Sequence, residues 1–306
     1  MRESLRQKRL RLAVSVTRAR TSARTRLRLA RRRSRDVAIA REHPWPRVIP
    51  IAGLPKAGGT WLAELLAEVP GYACRRYRDA DGCTLEHDVC PGVFESLPPD
   101  RLSVIKLHTR PSPGNVALFE RLGLKAVVLH RDLRDHCVSR MYHVLADPYH
   151  RHNALYTELP RHEALSHSIA VTLDEYVPWV AGWRELTGRS GLFLELRYEE
   201  LRAAPAETLA RVLGFFEIDL PAGTPEAIVE RVRRRTRFDL SPRALAAGAT
   251  ARRGVVGDWR NHFGPEHVAQ FRAGMRDVTC ASESGAEAGT QRSRSGRSRS
   301  APRSRA

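Results

Sequence analysis

The 306-residue sequence has no run of about 18 uncharged apolar residues and no apolar stretch behind its basic N-terminal segment. We therefore predict neither a membrane span nor a secretory signal peptide, and we expect a cytoplasmic protein. Cysteine is scarce, and its five residues are an odd number that favours free thiols over a disulfide framework. Cys74, Cys83, His87 and Cys90 lack a C-x2-C spacing, so we expect no metal site there.

Lysine is also scarce. Only four of the 52 basic residues are lysine, at positions 8, 56, 106 and 125, and the others are arginine. In this background a lysine indicates a position that favours a compact ammonium over a planar guanidinium. Lys56 and Lys106 both fall in motifs described below.

The net charge of +18 belongs to the two ends of the chain. Residues 1–47 hold 16 basic and 3 acidic residues, and residues 281–306 hold 6 basic and 2 acidic residues. We predict a disordered or weakly helical basic arm at 1–47, a folded domain at 48–280, and a disordered Ser/Arg-rich tail at 281–306. A surface helix in contact with a membrane or another polyanion is the alternative for the arm. The domain itself is nearly neutral, so we expect no nucleic-acid binding by it.

Four short apolar runs are typical of buried parallel strands: 48–53, 102–107, 125–130 and 192–197. Helical patterns occur at 59–69, 132–146, 173–187, 205–216 and 225–235. This alternation predicts an α/β fold, a central parallel sheet flanked by helices, with ligands beyond the carboxyl ends of the strands. The stretch 143–167 has five histidines and no clear period, so we interpret it as a loop or insertion over the site with solvated histidines.

The first motif is L-P-K-A-G-G-T-W at residues 54–61, directly after a strand and at the start of a helix. Two glycines let the backbone approach an anion, and the helix N-terminus directs N–H groups at it. Lys56 adds a positive charge and Thr60 a hydroxyl. A Walker A motif differs, because its lysine follows the last glycine. An ordinary strand-to-helix turn is the structural alternative.

The second motif is V-V-L-H-R-D-L-R-D-H-C-V-S at residues 127–139. It places Arg131 at the end of a strand and Ser139 two turns into the next helix. Such an arginine can hold a phosphate through two hydrogen bonds, and the serine adds a hydroxyl. The same pattern also suits helix capping and charge pairing within the helix.

The third motif is R-R-G-V-V-G-D-W-R-N-H-F at residues 252–263. With the other two motifs, it resembles the cytosolic type of PAPS-dependent sulfotransferase, where PAPS is 3′-phosphoadenylyl sulfate. The family segments read P-K-S-G-T-T-W and R-K-G-x-x-G-D-W-K-N-x-F. The resemblance covers about residues 48–271 and implies a P-loop-NTPase-like three-layer architecture. Ala57 and Gly59 replace hydroxyl residues of the family, which removes two possible donors to the phosphosulfate.

The resemblance also implies which residues bind PAPS as co-substrate. Arg131 and Ser139 match the 3′-phosphate segment, over which Arg252, Arg253 and Gly254 close. Trp61 and Phe238 match the pair of aromatic residues that enclose adenine. The complete set of donor-binding candidates is Lys56, Ala57, Gly58, Gly59, Thr60, Trp61, Arg131, Ser139, Tyr198, Thr236, Phe238, Arg252, Arg253 and Gly254.

The catalytic candidates are His108, Lys56 and Lys106. Residues 104–108, V-I-K-L-H, end a strand at the predicted ligand edge, and the family carries K-x-H there. The resemblance implies that His108 is the general base, since an imidazole can take a proton at neutral pH. The two lysines would neutralise charge on the transferring group and the leaving phosphate. A histidine that merely ends a strand is the structural alternative.

The sequence thus predicts a sulfotransferase that moves a sulfuryl group from PAPS to a hydroxyl or amine of a small-molecule acceptor, in line and without a metal. One alternative is a nucleotide-dependent P-loop kinase or other NTP-using enzyme. Another is a non-catalytic binder of nucleic acid or membrane led by the basic ends. The acceptor class (carbohydrate, lipid, phenol or natural-product scaffold) and the oligomeric state stay open.

Overall fold

The computed structural model describes residues 38–39, 41–75, 88–89, 92, 94, 97, 102–235 and 254–276. Within these ranges the strands are β1 Val48–Gly53, β2 Tyr72–Arg75, β3 Leu102–Leu107, β4 Ala126–His130 and β5 Phe193–Arg197. They form one sheet in the order β2-β3-β1-β4-β5, and every pairing is parallel. The predicted α/β fold with a central parallel sheet is confirmed.

The middle strands are apolar because helices cover both faces of the sheet. Every residue of β1 and β4 is buried, as expected for the interior of a parallel sheet. Ala52 of β1 pairs with Leu107 of β3 on one side and with Val128 of β4 on the other. The loops that follow these three strands therefore begin at the same edge of the sheet.

The helices account for most of the remaining described residues. They are α1 Gly59–Leu66, α2 Pro113–Arg121, α3 Leu133–Ala146, α4 Asn153–Glu158, α5 Arg161–Val171, α6 Val177–Arg189, α7 Tyr198–Ala203, α8 Pro205–Phe215, α9 Thr224–Arg235 and α10, residues 265–276. A π-helical turn, Thr172–Tyr176, joins α5 to α6, and a 3-10 turn, Asp258–Asn261, precedes α10. None of the helices in the described ranges has the length and hydropathy that crossing a membrane requires.

The two largest of the three apolar clusters among the described residues hold these layers together. The larger one lies on the sheet and contains residues of α1, α6, α8 and α9. It also buries Trp45, so packing on the domain extends upstream of β1. The smaller cluster joins α3 to α4 and α5, and Trp259, Phe263 and Phe271 pack against it. Residues 1–37 of the predicted arm and the predicted tail lie outside the described residues.

The interpretation of residues 143–167 as a loop is wrong, since this stretch contains the end of α3, all of α4 and most of α5. Tertiary contacts stabilise these short helices. Asn153 donates from its side-chain amide to the carbonyl of Val144 at the end of α3, at 2.7 Å, and Tyr156 is buried in the smaller cluster. The predicted helix at 173–187 is divided in the structure: its first residues lie in the π-helical turn and the others belong to α6.

A substitution of Phe119 in α2 tests the packing of the larger cluster. The Phe119 ring is fully buried and meets the rings of Phe94 and Phe193 edge-on, with centroids 6.2 and 5.7 Å away. Phe119→Ala should lower the free energy of unfolding by about 3–5 kcal/mol because it leaves a cavity. Urea unfolding followed by circular dichroism measures the change. Leu122→Ala, at an exposed position next to α2, should change it by less than about 0.5 kcal/mol. Equal losses in the two variants would contradict the packing.

Candidate functional site

The loop between β1 and α1 is shaped to receive an anion. Lys56 and Gly58 both have left-handed backbone conformations, with φ of 64° and 86°. The N–H of Leu54 donates to the carbonyl of Leu129 at 2.8 Å, which ties the loop to the end of β4. Gly58 is the N-cap of α1, and no side chain caps this helix. The first N–H groups of α1 have no acceptor within the helix, which makes them donors for an oxyanion.

Tyr198 packs directly under this loop. It is the buried first residue of α7, and a Cβ placed on Gly58 would come within 2.6 Å of its ring. Gly58 is therefore required both by its backbone conformation and by the space available. The Tyr198 hydroxyl donates to the carbonyl of Gly254 at 2.9 Å, so the same side chain holds the start of the third motif.

Arg131 joins the second motif to the first. Its guanidinium is buried, and Nη1 donates to the carbonyl of Lys56 at 3.3 Å. Nη2 lies 3.3 Å from a carboxylate oxygen of Asp135, and the guanidinium stacks over the Tyr198 ring at 4.7 Å. Nε of Arg131 is buried without a hydrogen-bond partner among the described residues.

Asp135 brings the third motif to the same place. Its two carboxylate oxygens accept from the backbone N–H groups of Gly257 and Trp259, at 2.7 and 2.9 Å. The indole of Trp259 then lies near the guanidinium groups of Arg134 and Arg260, 4.3 and 4.7 Å from its ring. One buried carboxylate in α3 therefore positions the segment that carries Gly254.

The two lysines of the motifs share this end of the sheet. Lys106 of β3 donates from Nζ to the Thr60 hydroxyl at 3.4 Å. Burial, followed by the positive charges of Lys106 and Arg131, lowers the pKa of Lys56 to about 8. An anion bound beside these three side chains would relieve their mutual repulsion, so the arrangement favours a phosphate or sulfate group.

The ring of His108 is held by the backbone of β1. Its Nδ1 lies 2.6 Å from the carbonyl oxygen of Gly53. A carbonyl oxygen can only accept, so Nδ1 carries the proton and the Nε2 lone pair is the basic one. The predicted histidine thus has the tautomer that a general base requires.

The structure brings together Lys56, Gly58, Thr60, Lys106, Arg131, Tyr198 and Gly254. Ala57 is buried in the loop and Gly59 is buried as the first residue of α1, while Trp61 and Ser139 are partly buried on α1 and α3. Four predicted site residues lie outside the described residues: Thr236, Phe238, Arg252 and Arg253.

Sequence reasoning missed Asp135 as the anchor of the third motif, and it missed a group of basic side chains on α3. His136, Arg140 and His143 recur at helical spacing within a helix that the sequence predicted, which is the signal that could have found them. Within the described ranges no set of His, Cys, Asp or Glu has the arrangement of a metal site. Cys83, His87 and Cys90 lie outside those ranges.

A parallel sheet with an anion-binding strand-to-helix loop at its carboxyl edge defines a P-loop-like α/β domain. The sulfotransferase domain family matches residues 46–284 of this sequence. The chain therefore belongs to the sulfotransferase family of enzymes.

Similar proteins span most of the chain. Sulfotransferase 1E1 of Mus musculus is 21% identical over 268 residues, which are 76% of this chain and 85% of that protein. Sulfotransferase 1 family member D1 of Rattus norvegicus is 25% identical over 256 residues, 74% and 80% of the two chains. The crystal structure of mouse sulfotransferase SULT7A1 complexed with PAP matches with a TM-score of 0.59 at 19% identity, covering 79% of this chain and 88% of that one. The structural match shows a shared fold.

Asp135→Ala tests the anchor of the third motif. The variant leaves the Arg131 guanidinium buried without its carboxylate and frees the N–H groups of Gly257 and Trp259. We expect the free energy of unfolding to fall by about 3–5 kcal/mol, as when one partner of a buried ion pair is removed. Hydrogen exchange at these two amides should accelerate.

Asp219→Ala, at an exposed position, is the control for the loss of one carboxylate. It should leave both unfolding and exchange unchanged within about 0.5 kcal/mol. If the amides of Gly257 and Trp259 exchange at the wild-type rate in Asp135→Ala, Asp135 is not the anchor.

Proposed function

We propose that this sulfotransferase takes its sulfuryl group from PAPS and transfers it to a hydroxyl or amine of a small acceptor. The convergence of Lys56, Lys106 and Arg131 on an uncapped helix N-terminus is the observation that supports the proposal most directly. The presence of PAP, the desulfated product of PAPS, in the mouse SULT7A1 structure also supports it.

The residues at the site fit both ends of this donor. The loop of Lys56 and the first turn of α1 suit the phosphosulfate, because they combine N–H donors with a positive charge. The unpartnered Nε of Arg131 suits the 3′-phosphate, for which Ser139 offers a hydroxyl. We propose that Arg252 and Arg253 close over that phosphate. Four further residues would hold the nucleoside: Trp61, Tyr198, Thr236 and Phe238.

His108, Lys56 and Lys106 would carry the chemistry. PAPS, when bound, supplies the sulfuryl group and a phosphate leaving group. The Nε2 lone pair of His108 takes the proton of the acceptor while Gly53 holds Nδ1–H. The ammonium groups of Lys56 and Lys106 stabilise negative charge on the oxygens around the reacting centre. None of these roles requires a metal.

We propose that the division into an arm, a domain at 48–280 and a tail holds in the protein, and that the protein is cytoplasmic. The family match at 46–284 supports the domain boundaries. The free, buried thiol of Cys137 fits a reducing compartment. Contact of the basic arm with membranes or other polyanions stays a prediction.

The low pKa of Lys56 makes donor binding depend on pH. With a pKa of about 8, its side chain is an ammonium at pH 7 and mostly an amine above pH 9. The affinity for PAP should therefore fall above pH 8, by up to about tenfold per pH unit. Isothermal titration calorimetry between pH 7 and 9.5 measures the affinity. The whole range lies above the second pKa of the phosphates, which is about 6.

Lys56→Arg is the matched control, because a guanidinium stays charged throughout this range. Its affinity for PAP should vary little with pH. An identical decline in both proteins would assign the titration to another group. Binding of ATP only with magnesium, together with no binding of PAP in EDTA, would favour the kinase alternative and overturn the proposed donor.

His108→Gln tests the general base. We expect transfer to slow by about 10²- to 10⁴-fold because the acceptor keeps its proton, while the affinity for PAP stays within about twofold of the wild type. The assay is mass spectrometry of acceptors that gain one SO₃ unit when protein and PAPS are added. His162→Gln, a strongly exposed position on α5, should transfer at the wild-type rate. Wild-type turnover by His108→Gln would remove the proposed role.

A further inference from the structure

Arg140 of α3 is a buried cation whose partners are all neutral. It is only 5% exposed. Nη1 donates to the Tyr156 hydroxyl at 2.6 Å and to the Ser168 hydroxyl at 3.5 Å, and Nη2 donates to Nδ1 of His152 at 3.0 Å. The Tyr176 hydroxyl is a further neutral neighbour of this guanidinium.

The described residues give Arg140 no carboxylate in ion-pair contact. The acidic side chains of the same region are engaged elsewhere. Asp147 accepts from the N–H of Tyr149 at 3.0 Å, and Glu175 pairs with Arg151 at 2.7 Å. A buried guanidinium without a counter-charge is costly, and arginine at such positions is normally paired. Arg131, nine residues earlier and equally buried, has its carboxylate in Asp135.

Hydrogen bonds fix the tautomers of two histidines around Arg140. His152 accepts from Arg140 at Nδ1, and His150 accepts the backbone N–H of His152 at Nδ1, at 3.1 Å. The neutral imidazoles of His150 and His152 then carry their protons on Nε2 and can offer a ligand only a donor there. The Tyr156 hydroxyl accepts from Arg140 and also lies 3.1 Å from Nδ1 of His167.

Burial and the charge of Arg140 both favour the neutral form of these rings. Burial comes first and the positive charge of Arg140 second among the causes that lower the pKa values of His150, His152 and His167. We name Arg140 with His136, His143, His150, His152 and His167 the Arg140 cluster. The cluster carries a positive charge, and its other N–H groups favour a ligand that accepts hydrogen bonds.

His136 connects this cluster to the proposed transfer centre. The Thr172 hydroxyl donates to the carbonyl of Ser168, so it accepts from Nδ1–H of His136 at 3.2 Å. The Nε2 lone pair of His136 is fully buried and has no partner among the described residues.

Charges of both the Arg140 cluster and the proposed transfer centre act on His136 and His143. Burial and then the charges of Arg140, Arg131 and Lys56 hold the pKa of His136 well below its ordinary value. Burial and then the charge of Lys56 lower the pKa of His143 to about 4. Arg140 itself lies roughly 10 Å along α3 from the first turn of that helix, a distance that one small molecule can span.

We propose that the Arg140 cluster binds an oxyanion, such as a carboxylate, that the acceptor itself carries, so that the enzyme sulfates hydroxy or amino compounds with an acidic group. This assignment rests on the proposed function, since it names the acceptor of the same site. The oxyanion supplies the charge that Arg140 lacks and accepts from the surrounding N–H groups.

Matched hydroxy acids and their methyl esters test the proposal, because esterification removes the charge and alters little else. The panel contains aromatic, aliphatic and sugar scaffolds with different separations between hydroxyl and carboxylate. With PAPS as donor, kcat/KM of the wild-type protein should be about 10- to 100-fold higher for the preferred acid than for its ester, as for a hydrogen bond to a charged group. Arg140→Gln should abolish this preference.

Two further variants separate recognition from folding. Arg140→Lys keeps the charge but loses the planar fork, so it should retain part of the preference for the acid. Arg161→Gln, an exposed arginine on α5, should retain all of it. Equal losses for acid and ester in Arg140→Gln would show a structural role and overturn the proposal.

Binding measured without turnover keeps this test independent of the donor. The unfolding temperature of the wild-type protein should rise with the hydroxy acid and not with its ester, and Arg140→Gln should lose that response. An equal rise with sodium acetate would mean that any free oxyanion suffices and would overturn recognition of the acceptor. Absence of transfer from PAPS, with the acid-specific response intact, would overturn the proposed function and the role of the acid as acceptor, while the oxyanion site at Arg140 would stand.

Discussion

The buried guanidinium of Arg131 is the group on which the site depends, because it contacts all three parts of it. It binds the carbonyl of Lys56 in the loop after β1, stacks on Tyr198 at the start of α7 and pairs with Asp135 in α3. Asp135 in turn holds the segment that follows Gly254. Leaving a buried cation unpaired is costly, so Asp135 stabilises the loop and the third motif together.

The positive charges at the site also explain which ligands it favours. Lys56, Lys106 and Arg131 are close enough that their repulsion and their burial lower the pKa of Lys56. A bound anion reverses that effect, so the site is organised for its ligand before the ligand arrives. Arg140 extends this logic along α3: it is as buried as Arg131 but has only neutral partners among the described residues.

The sheet and the motifs could be predicted because burial leaves a local pattern in the sequence. β1 and β4 are buried at every position and almost entirely apolar because both of their faces are covered, and this pattern is visible without any structure. The region 143–167 was not predictable in the same way. Its helices are short, and contacts such as Asn153 with the end of α3 decide their boundaries. Local propensity is weak over so few residues, so packing determines the outcome.

The sequence by itself determined four of the five strands, the starts of helices such as α1 and α8, and the three motifs, since each depends on residues that are near one another in the chain. It did not predict β2. Only the tertiary structure decided the states of the side chains. The proton on Nδ1 of His108 depends on Gly53, 55 residues away, and the pairing of Arg131 with the third motif spans more than a hundred residues through Asp135. Protonation and pairing depend on burial and on charges a few ångströms away, which become neighbours only when the chain folds.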